Sequence, residues 1–504
     1  MVGVTNKRIL AVFMMACILI APALAVGEKD NVGKQESQGN KKAIVLRIFN
    51  AKGENAVEFE AMCKAYSQET GVEVEAFSVG SGTSAIELLR AQMTSKTPPA
   101  IYSIRGLSEL PEWKESGSVL ELSSVAHSGF AKIAKAIPDS MRLSSDGKEN
   151  LGIPFNIEGY GYMVDTQMLA DLFGASNGPK VYGDLRSCSY DEFASFAAIV
   201  DAYIQKSTPG NVSLNGNTYA LQPVKTGRAL KLTGVFGFAG SEKWTYGDHS
   251  VNVMLNTVFG SAVAASLIKD PQFEQLREPL FAYMKNLEMV TRYVGGLKNH
   301  AERGPELINK AVYGYDQSVQ AYADGNVLFL QQGNWISINI EKIDPAVAAR
   351  STFIPVKMPL TNEMIKTGKN VKEFNSSIPI YVPNYYAINA KVSKEEQEAA
   401  FDFFVWLAKP ANTQKYIIDS FKAIPYNADS SFTITDSLSR SIISYNESGK
   451  FISNPYMGMP KPWYRDVVAG KVMEEFLNKK NWADKDVSAF VENAIIGLKK
   501  AKAQ

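Results

Sequence analysis

Trp335 follows Gln331-Gln332-Gly333-Asn334 at the end of the apolar run Val327–Leu330. An indole beside amides can stack on the axial C–H face of a pyranose while Asn, Glu and Arg side chains bind its hydroxyls. Trp113, Trp244, Tyr246, Tyr385, Tyr386, Tyr456 and Trp463 also sit in or beside polar, Gly- or Pro-containing segments. Aromatic residues make up 11% of the chain, enough to line a cleft as well as to fill a core. Trp113 and Trp406, both in helical contexts, are assigned to the core. Glu158 lies in the turn Asn156-Ile157-Glu158-Gly159-Tyr160-Gly161. There a carboxylate can act as an acid, accept sugar hydroxyls, or close a hinge through a hydrogen bond. A secreted glycosidase needs two carboxylates whose separation sequence does not reveal, so oligosaccharide hydrolysis stands as the alternative to plain binding.

Other chemistries lack their residues. The sequence has no phosphate-cradling Gly-x-x-x-x-Gly-Lys-Ser/Thr, and Gly234–Gly240 does not match the dinucleotide spacing. His-Glu-x-x-His and Cys-x-x-Cys are also missing. His127, His249 and His300 are far apart without neighbouring ligand patterns, so no metal site and no cofactor are expected. Each histidine reads as a surface or core residue.

The elements that must position these residues alternate. Ala43–Phe49 reads as a buried strand ending at Asn50. A helix follows through Val57, Phe59, Met62, Cys63 and Tyr66, and Thr70-Gly71 stops it. Val72–Phe77 is a strand, Gly80-Ser81-Gly82 a turn, Leu88-Leu89 and Met93 a helix, and Ala100–Ile104 a third strand. Strand, helix, strand, helix, strand with short links predicts a parallel sheet covered on both faces, with ligands at the strands' carboxyl ends. Those ends are Asn50, Ser78–Gly82 and Ser103–Gly106. Leu151–Asn156 is a strand running into a hinge-like turn, 191–205 and 273–294 are helical, and 207–250 reads as a loop-rich insertion. A strand pair is expected at Val327–Leu330 and Phe353–Val356. Ile378–Val382 and Tyr386–Asn389 are further strands, followed by the helix Lys394–Ala408.

At 504 residues the chain exceeds what one core supports, so two lobes are expected. Lys7-Arg8, the apolar run Ile9–Ile20 and Ala23-Leu24-Ala25 form a signal-peptide pattern over residues 1–25. The run is short for a membrane anchor, which is the competing reading. Cys17, after Met14-Met15-Ala16, loosely resembles a lipoprotein box, so a lipid anchor at Cys17 competes with cleavage after Ala25. Residues 26–42 form a polar, flexible leader. The chain carries a formal charge of +1, and residues 1–25 hold two cations and no anion, which leaves −1 for the remainder. That balance argues against nucleic acid or an anionic membrane surface as partner. Cys63 and Cys188 are expected to be separate buried thiols.

Six segments carry a resemblance to a known family. They are Glu60–Val74, Ser78–Gly82, Leu110–Gly117, Gly152–Gly161, Ala321-Tyr322-Ala323-Asp324-Gly325 through Trp335, and Phe421–Pro425. In this order, over nearly the whole chain after the leader, they resemble the extracellular solute-binding proteins of bacterial ABC importers, in the group that captures sugars. The resemblance implies an α/β, two-lobed periplasmic-binding-protein fold of type II, each lobe a mainly parallel sheet flanked by helices, joined by crossing segments. Lobe 1 would comprise 43–154 and 375–422, and lobe 2 155–374 and 423–504. It also implies sugar contacts at Asn50, Ser81, Arg105, Glu158 and Trp335; Trp244, Asn334, Tyr386 and Trp463 complete the candidate ligand set. The implied partners are a carbohydrate and the transmembrane permease subunits of an importer, with the protein monomeric, at the periplasmic or outer face of the cytoplasmic membrane. A chemoreceptor or sensor kinase is an alternative recipient. Two departures bear on the ligand: Met163-Val164-Asp165 replaces the family's usual Tyr-Asn-Lys, and 207–250 is longer than expected.

Overall fold

The computed structural model describes residues 44–80, 85–296, 303–429 and 431–503. The signal and leader expectations, Cys17 and Ser81 fall outside these residues. In chain order the strands are β1 (Val45–Asn50), β2 (Glu73–Ser78), β3 (Ile101–Ile104), β4 (Ile153–Pro154), β5 (Glu158–Asp165), β6 (Asn211–Leu214) and β7 (Asn217–Ala220). They continue with β8 (Gly234–Gly237), β9 (Val327–Gly333), β10 (Ser351–Ile354), β11 (Ile378–Tyr381), β12 (Tyr385–Ile388) and β13 (Phe451–Ile452).

The first sheet has the order β2-β1-β3-β12-β4. Its β1, β2 and β3 are parallel, as the alternation predicts, and α1 (Ala56–Thr70) and α2 (Ala85–Met93) make the crossovers. Leu46 and Ile48 face Phe59, Met62 and Tyr66 of α1, while Phe49 joins Leu89 and Trp113 on the opposite face. Both faces are therefore covered, which a parallel sheet requires because its crossover helices lie there. The helix Lys394–Leu407 starts at a reciprocal Ser393/Glu396 cap and buries Phe401, Phe403, Phe404 and Trp406 under this sheet. Cys63 and Cys188 are unbridged and buried.

The second sheet has the order β13-β11-β5-β9-β8, with β10 also on β5. β5 is buried throughout and organises the lobe. β9 and β10, expected to pair with each other, instead both pair with β5. The segment 207–250 is not simply a loop: it contains the β6–β7 hairpin and β8, which extends the sheet in parallel with β9. The first lobe was expected to resume at 375, but β11 pairs with Glu158 and Gly159 and belongs to the second sheet. The chain returns to the first lobe only over Val382–Asn384. With Phe155–Ile157 and Phe421–Pro425 this makes three crossing segments, tied by Phe155 N–H to the Asn384 carbonyl (3.1 Å) and Ile157 N–H to the Ile424 carbonyl (2.7 Å). Among the described residues no helix is long and apolar enough to cross a membrane.

Candidate functional site

The parallel strands deliver their ends to one place. Asn50 and Ser78 are in register, and Asn50 Nδ2 donates to Ser78 Oγ at 3.3 Å and to Asn55 Oδ1 at 3.2 Å. Asn50 Oδ1 accepts from Lys52 N–H at 3.1 Å and from the Tyr386 hydroxyl at 3.3 Å. Asn50 is fully buried, so its amide shapes the loop that presents Lys52. Lys52 reaches across to the second lobe and pairs with Glu158, the first residue of β5, and its ammonium also lies 3.4 Å from Glu54. The Lys52 and Glu158 side chains are only 8% and 4% exposed. Burial pulls the Lys52 pKa down, but Glu158 and Glu54 outweigh it and the net direction is upward.

Around this pair lies a cleft of about 290 Å³, lined by Lys52, Glu54, Asn156, Glu158, Asn334 and Trp335, among others. Asn334 Oδ1 accepts from Gly159 N–H at 3.2 Å, fixing the end of β9 against the start of β5. The Trp335 indole folds back over β9 and donates to Gln332 Oε1 at 3.0 Å. A Cβ at Gly333 would run into that ring, so the preceding residue must be glycine for the indole to lie there. Half-buried Trp335 continues into a run of rings: His249 at 5.0 Å, then Trp244 at 5.1 Å from His249, then Tyr315 at 5.8 Å from Trp244. Tyr160 stacks behind His249 at 4.3 Å. On the second lobe the cleft thus has the Trp335 indole, backed by this run of rings, with charged and amide groups around the crossing strands.

The profile of the bacterial extracellular solute-binding proteins matches residues 61–435. The chain belongs to that family. Family membership makes it an exported protein. The fold agrees with solved solute-binding proteins at low sequence identity. A raffinose complex of the binding protein RafE is 16% identical, with TM-score 0.59 over 91% of this chain and all of that one. RafE has also been solved in apo form from Streptococcus pneumoniae, at 16% identity and TM-score 0.56 over 92% of this chain and all of that one. A chitin oligosaccharide binding protein gives 14% identity and TM-score 0.59 over 92% of this chain and all of that one. No curated protein matches the sequence significantly.

Within this solute-binding protein the expected residues separate into three groups. Glu158, Asn334 and Trp335 line the cleft together, and Trp244 joins them through His249. Asn50 and Tyr386 support the cleft from behind: the Tyr386 ring packs on Phe59 and Phe155 and borders a separate hollow of about 470 Å³ behind the hinge. That hollow is the larger of the two, but its lining is mostly aliphatic and aromatic and offers few partners to sugar hydroxyls. Trp463 is corrected outright. It is fully buried in the second lobe's core, and its indole N–H donates to the Ala494 carbonyl at 2.7 Å. Trp113 and Trp406 are core residues, as their helical contexts predict.

Arg105 leaves the end of β3, its backbone N–H donating to Glu109 Oε2 at 2.9 Å. On the facing lobe the π-helical turns Thr245–Ser250 and Trp463–Val468 are joined by a two-point ion pair between Arg465 and Asp248. Burial opposes the Arg465 charge, Asp248 outweighs it, and the net shift is upward. Burial pushes the His249 imidazole down to about 3, and Arg465 adds to the effect, so this ring is neutral. Sequence reasoning missed Lys52 in the site, and His249 and Tyr315 as the rings that back Trp335 and Trp244. Lys52 had a usable signal, because it lies two residues past a parallel strand's carboxyl end. Among the described residues no group of three or more His, Cys, Asp or Glu side chains is arranged to hold a metal ion.

Proposed function

We infer that the cleft binds an oligosaccharide, which the protein hands to the permease of an ABC importer without chemical change. Trp335 in the cleft lining with Lys52, Glu158, Asn156 and Asn334, and backed by the rings of His249 and Trp244, carries this reading. Aromatic faces bind the C–H side of a pyranose, and the amides and charged groups suit its hydroxyls. Asn156 Oδ1 is buried in the cleft lining with no partner among the described residues, an acceptor suited to a sugar hydroxyl. Related folds are solved with raffinose and with a blood group A-trisaccharide, the latter at 14% identity and TM-score 0.55. Because the lining comes from both lobes, ligand contacts are complete only when the lobes are together, so binding favours closure.

Isothermal titration against a saccharide panel tests the reading; binding is expected, and silence across the panel contradicts it. Product analysis after prolonged incubation separates transport from hydrolysis: intact sugar is expected, and cleavage abolished by Glu158→Gln would establish the hydrolase. Stimulation of the cognate permease's ATPase tests the partner, and mass analysis of the mature N-terminus distinguishes Val26 from an acylated Cys17.

A further inference from the structure

A second cluster, apart from the residues that line the cleft around Lys52 and Glu158, lies where the two lobes approach each other. Arg105 lies at the end of β3 on the first lobe, and Lys461 lies on the second lobe, one helical turn before Arg465. The two segments meet across the cleft. Ser108 Oγ lies 3.8 Å from Met457 Sδ, and a Cβ at Gly106 would stand 3.3 Å from the same sulfur. Gly106 has φ +62°, a turn that brings the backbone close where a side chain would crowd Met457. Neither the Arg105 guanidinium nor the Lys461 ammonium has a hydrogen-bond or ion-pair partner among the described residues, and both are half-buried.

The nearby acids are already engaged. Asp248 gives both oxygens to Arg465, and Glu109 holds the Arg105 backbone N–H. Arg105, Lys461 and Arg465 against Glu109 and Asp248 leave one positive charge in excess. Burial holds the Lys461 pKa below its usual range; Glu109 and Asp248 oppose this, while Arg465 and Arg105 add to it. The Arg105 charge also reaches Tyr456, beside the same segment. Unpaired like charges gathered in a partly desolvated cleft are unfavourable unless an anion joins them. The cluster is continuous with the run of rings, since Asp248 precedes His249, whose ring stands between Trp244 and Trp335.

We propose that Arg105 and Lys461 form an anion subsite that takes the carboxylate, sulfate or phosphate of an acidic saccharide whose sugar ring stacks on Trp335. This rests on the saccharide reading and narrows it to charged sugars. The guanidinium offers two parallel donors to an oxyanion and the ammonium a point charge. As they come from opposite lobes, the anion bridges them only when the cleft is closed, so its charge contributes directly to closure.

Titration with matched pairs tests the proposal: a neutral galactose trisaccharide and trigalacturonate, lactose and sulfated lactose, maltose and maltose phosphate. The acidic member of at least one pair is expected to bind about 10-fold tighter or more than its neutral counterpart. The ratio should shrink between about 50 and about 500 mM salt. It should fall toward one in the Arg105→Gln/Lys461→Gln double variant and fall partway in each single variant, with unchanged circular dichroism as the folding control. Which acidic member binds distinguishes carboxylate from sulfate and phosphate. Neutral members binding as tightly in every pair, or a preference that survives the double variant, overturns the subsite and leaves the saccharide reading standing. Binding by no member of any pair overturns both.

Discussion

Glu158→Gln removes one half of the ion pair that spans the cleft. Lys52 and Glu158 are nearly inaccessible, and breaking a buried pair by deleting one partner costs about 3–5 kcal/mol. Glu54 stays 3.4 Å from the ammonium and is itself about one-quarter exposed, which places the cost near the lower limit, about 3 kcal/mol. The penalty falls on the closed arrangement alone, because separating the lobes returns Lys52 to water. A 3 kcal/mol shift is roughly 100-fold in the closing equilibrium, so an open population should become dominant if the wild type is less than about 99% closed. Cysteines introduced at the exposed positions Lys96 and Lys372, one in each lobe, allow spin labels to report the interlobe distance. The native Cys63 and Cys188 are buried and should not compete for label. In the absence of sugar the variant should show a longer and broader distance distribution than the wild type, with little change in melting temperature. An unchanged distribution with a lowered melting temperature would refute the reasoning, because the pair would then be holding the fold and not the cleft. A Glu158→Gln/Lys52→Met double variant should close again, as it leaves no buried unpaired charge: Glu54, which loses Lys52, is about one-quarter exposed and keeps water.

Trp335→Ala should weaken saccharide binding by about 1–3 kcal/mol, or about 5–150-fold, by removing a stacking face; unchanged affinity would take Trp335 out of the site. Trp463→Phe should lose about 1–3 kcal/mol of stability through the missing bond to Ala494, with saccharide affinity unaltered; lost affinity at unchanged stability would return Trp463 to the cleft. His249 has its pKa pushed down to about 3, whereas in the unfolded chain it titrates near 6.5, so protons bind the unfolded state first. Stability should therefore fall as pH drops below about 6.5, by roughly 1 kcal/mol per pH unit until about pH 3. Urea titrations at pH 7 and pH 4 should show a smaller acid loss in His249→Phe than in the wild type, and equal losses would contradict a buried neutral imidazole.

The first sheet was readable because each of its early elements carries its own signal. Leu46 and Ile48 alternate, Phe59, Met62 and Tyr66 recur at helical spacing, and Gly71 ends the helix in a left-handed conformation. The second sheet was less readable. β8 is four residues long between glycines, and Gly234 packs so tightly on Gly295 that no side chain fits between them, which resembles a loop locally. β9 and β10 were visible as strands, but their common partner β5 is set by tertiary packing and not by either segment. The same limit governs the site. Trp335 was legible because Gly333 and the amides precede it, whereas Trp463 sits in an equally polar-looking stretch and is buried by the helix Asp484–Ala503. Lys52 pairs with a residue 106 positions away, a separation no local pattern encodes.

The central claim is that a saccharide binds on the Trp335 indole, backed by His249 and Trp244, and the chain's own fluorescence can test it. Of six tryptophans, Trp113, Trp406, Trp463 and Trp482 are buried in the cores, leaving Trp244 and Trp335 as the half-buried pair. Titration with an oligosaccharide that binds by calorimetry should shift the emission of the wild type, and the shift should vanish in Trp244→Phe/Trp335→Phe. A saccharide that binds with no change in emission, or with a change that survives this double variant, would contradict the site described.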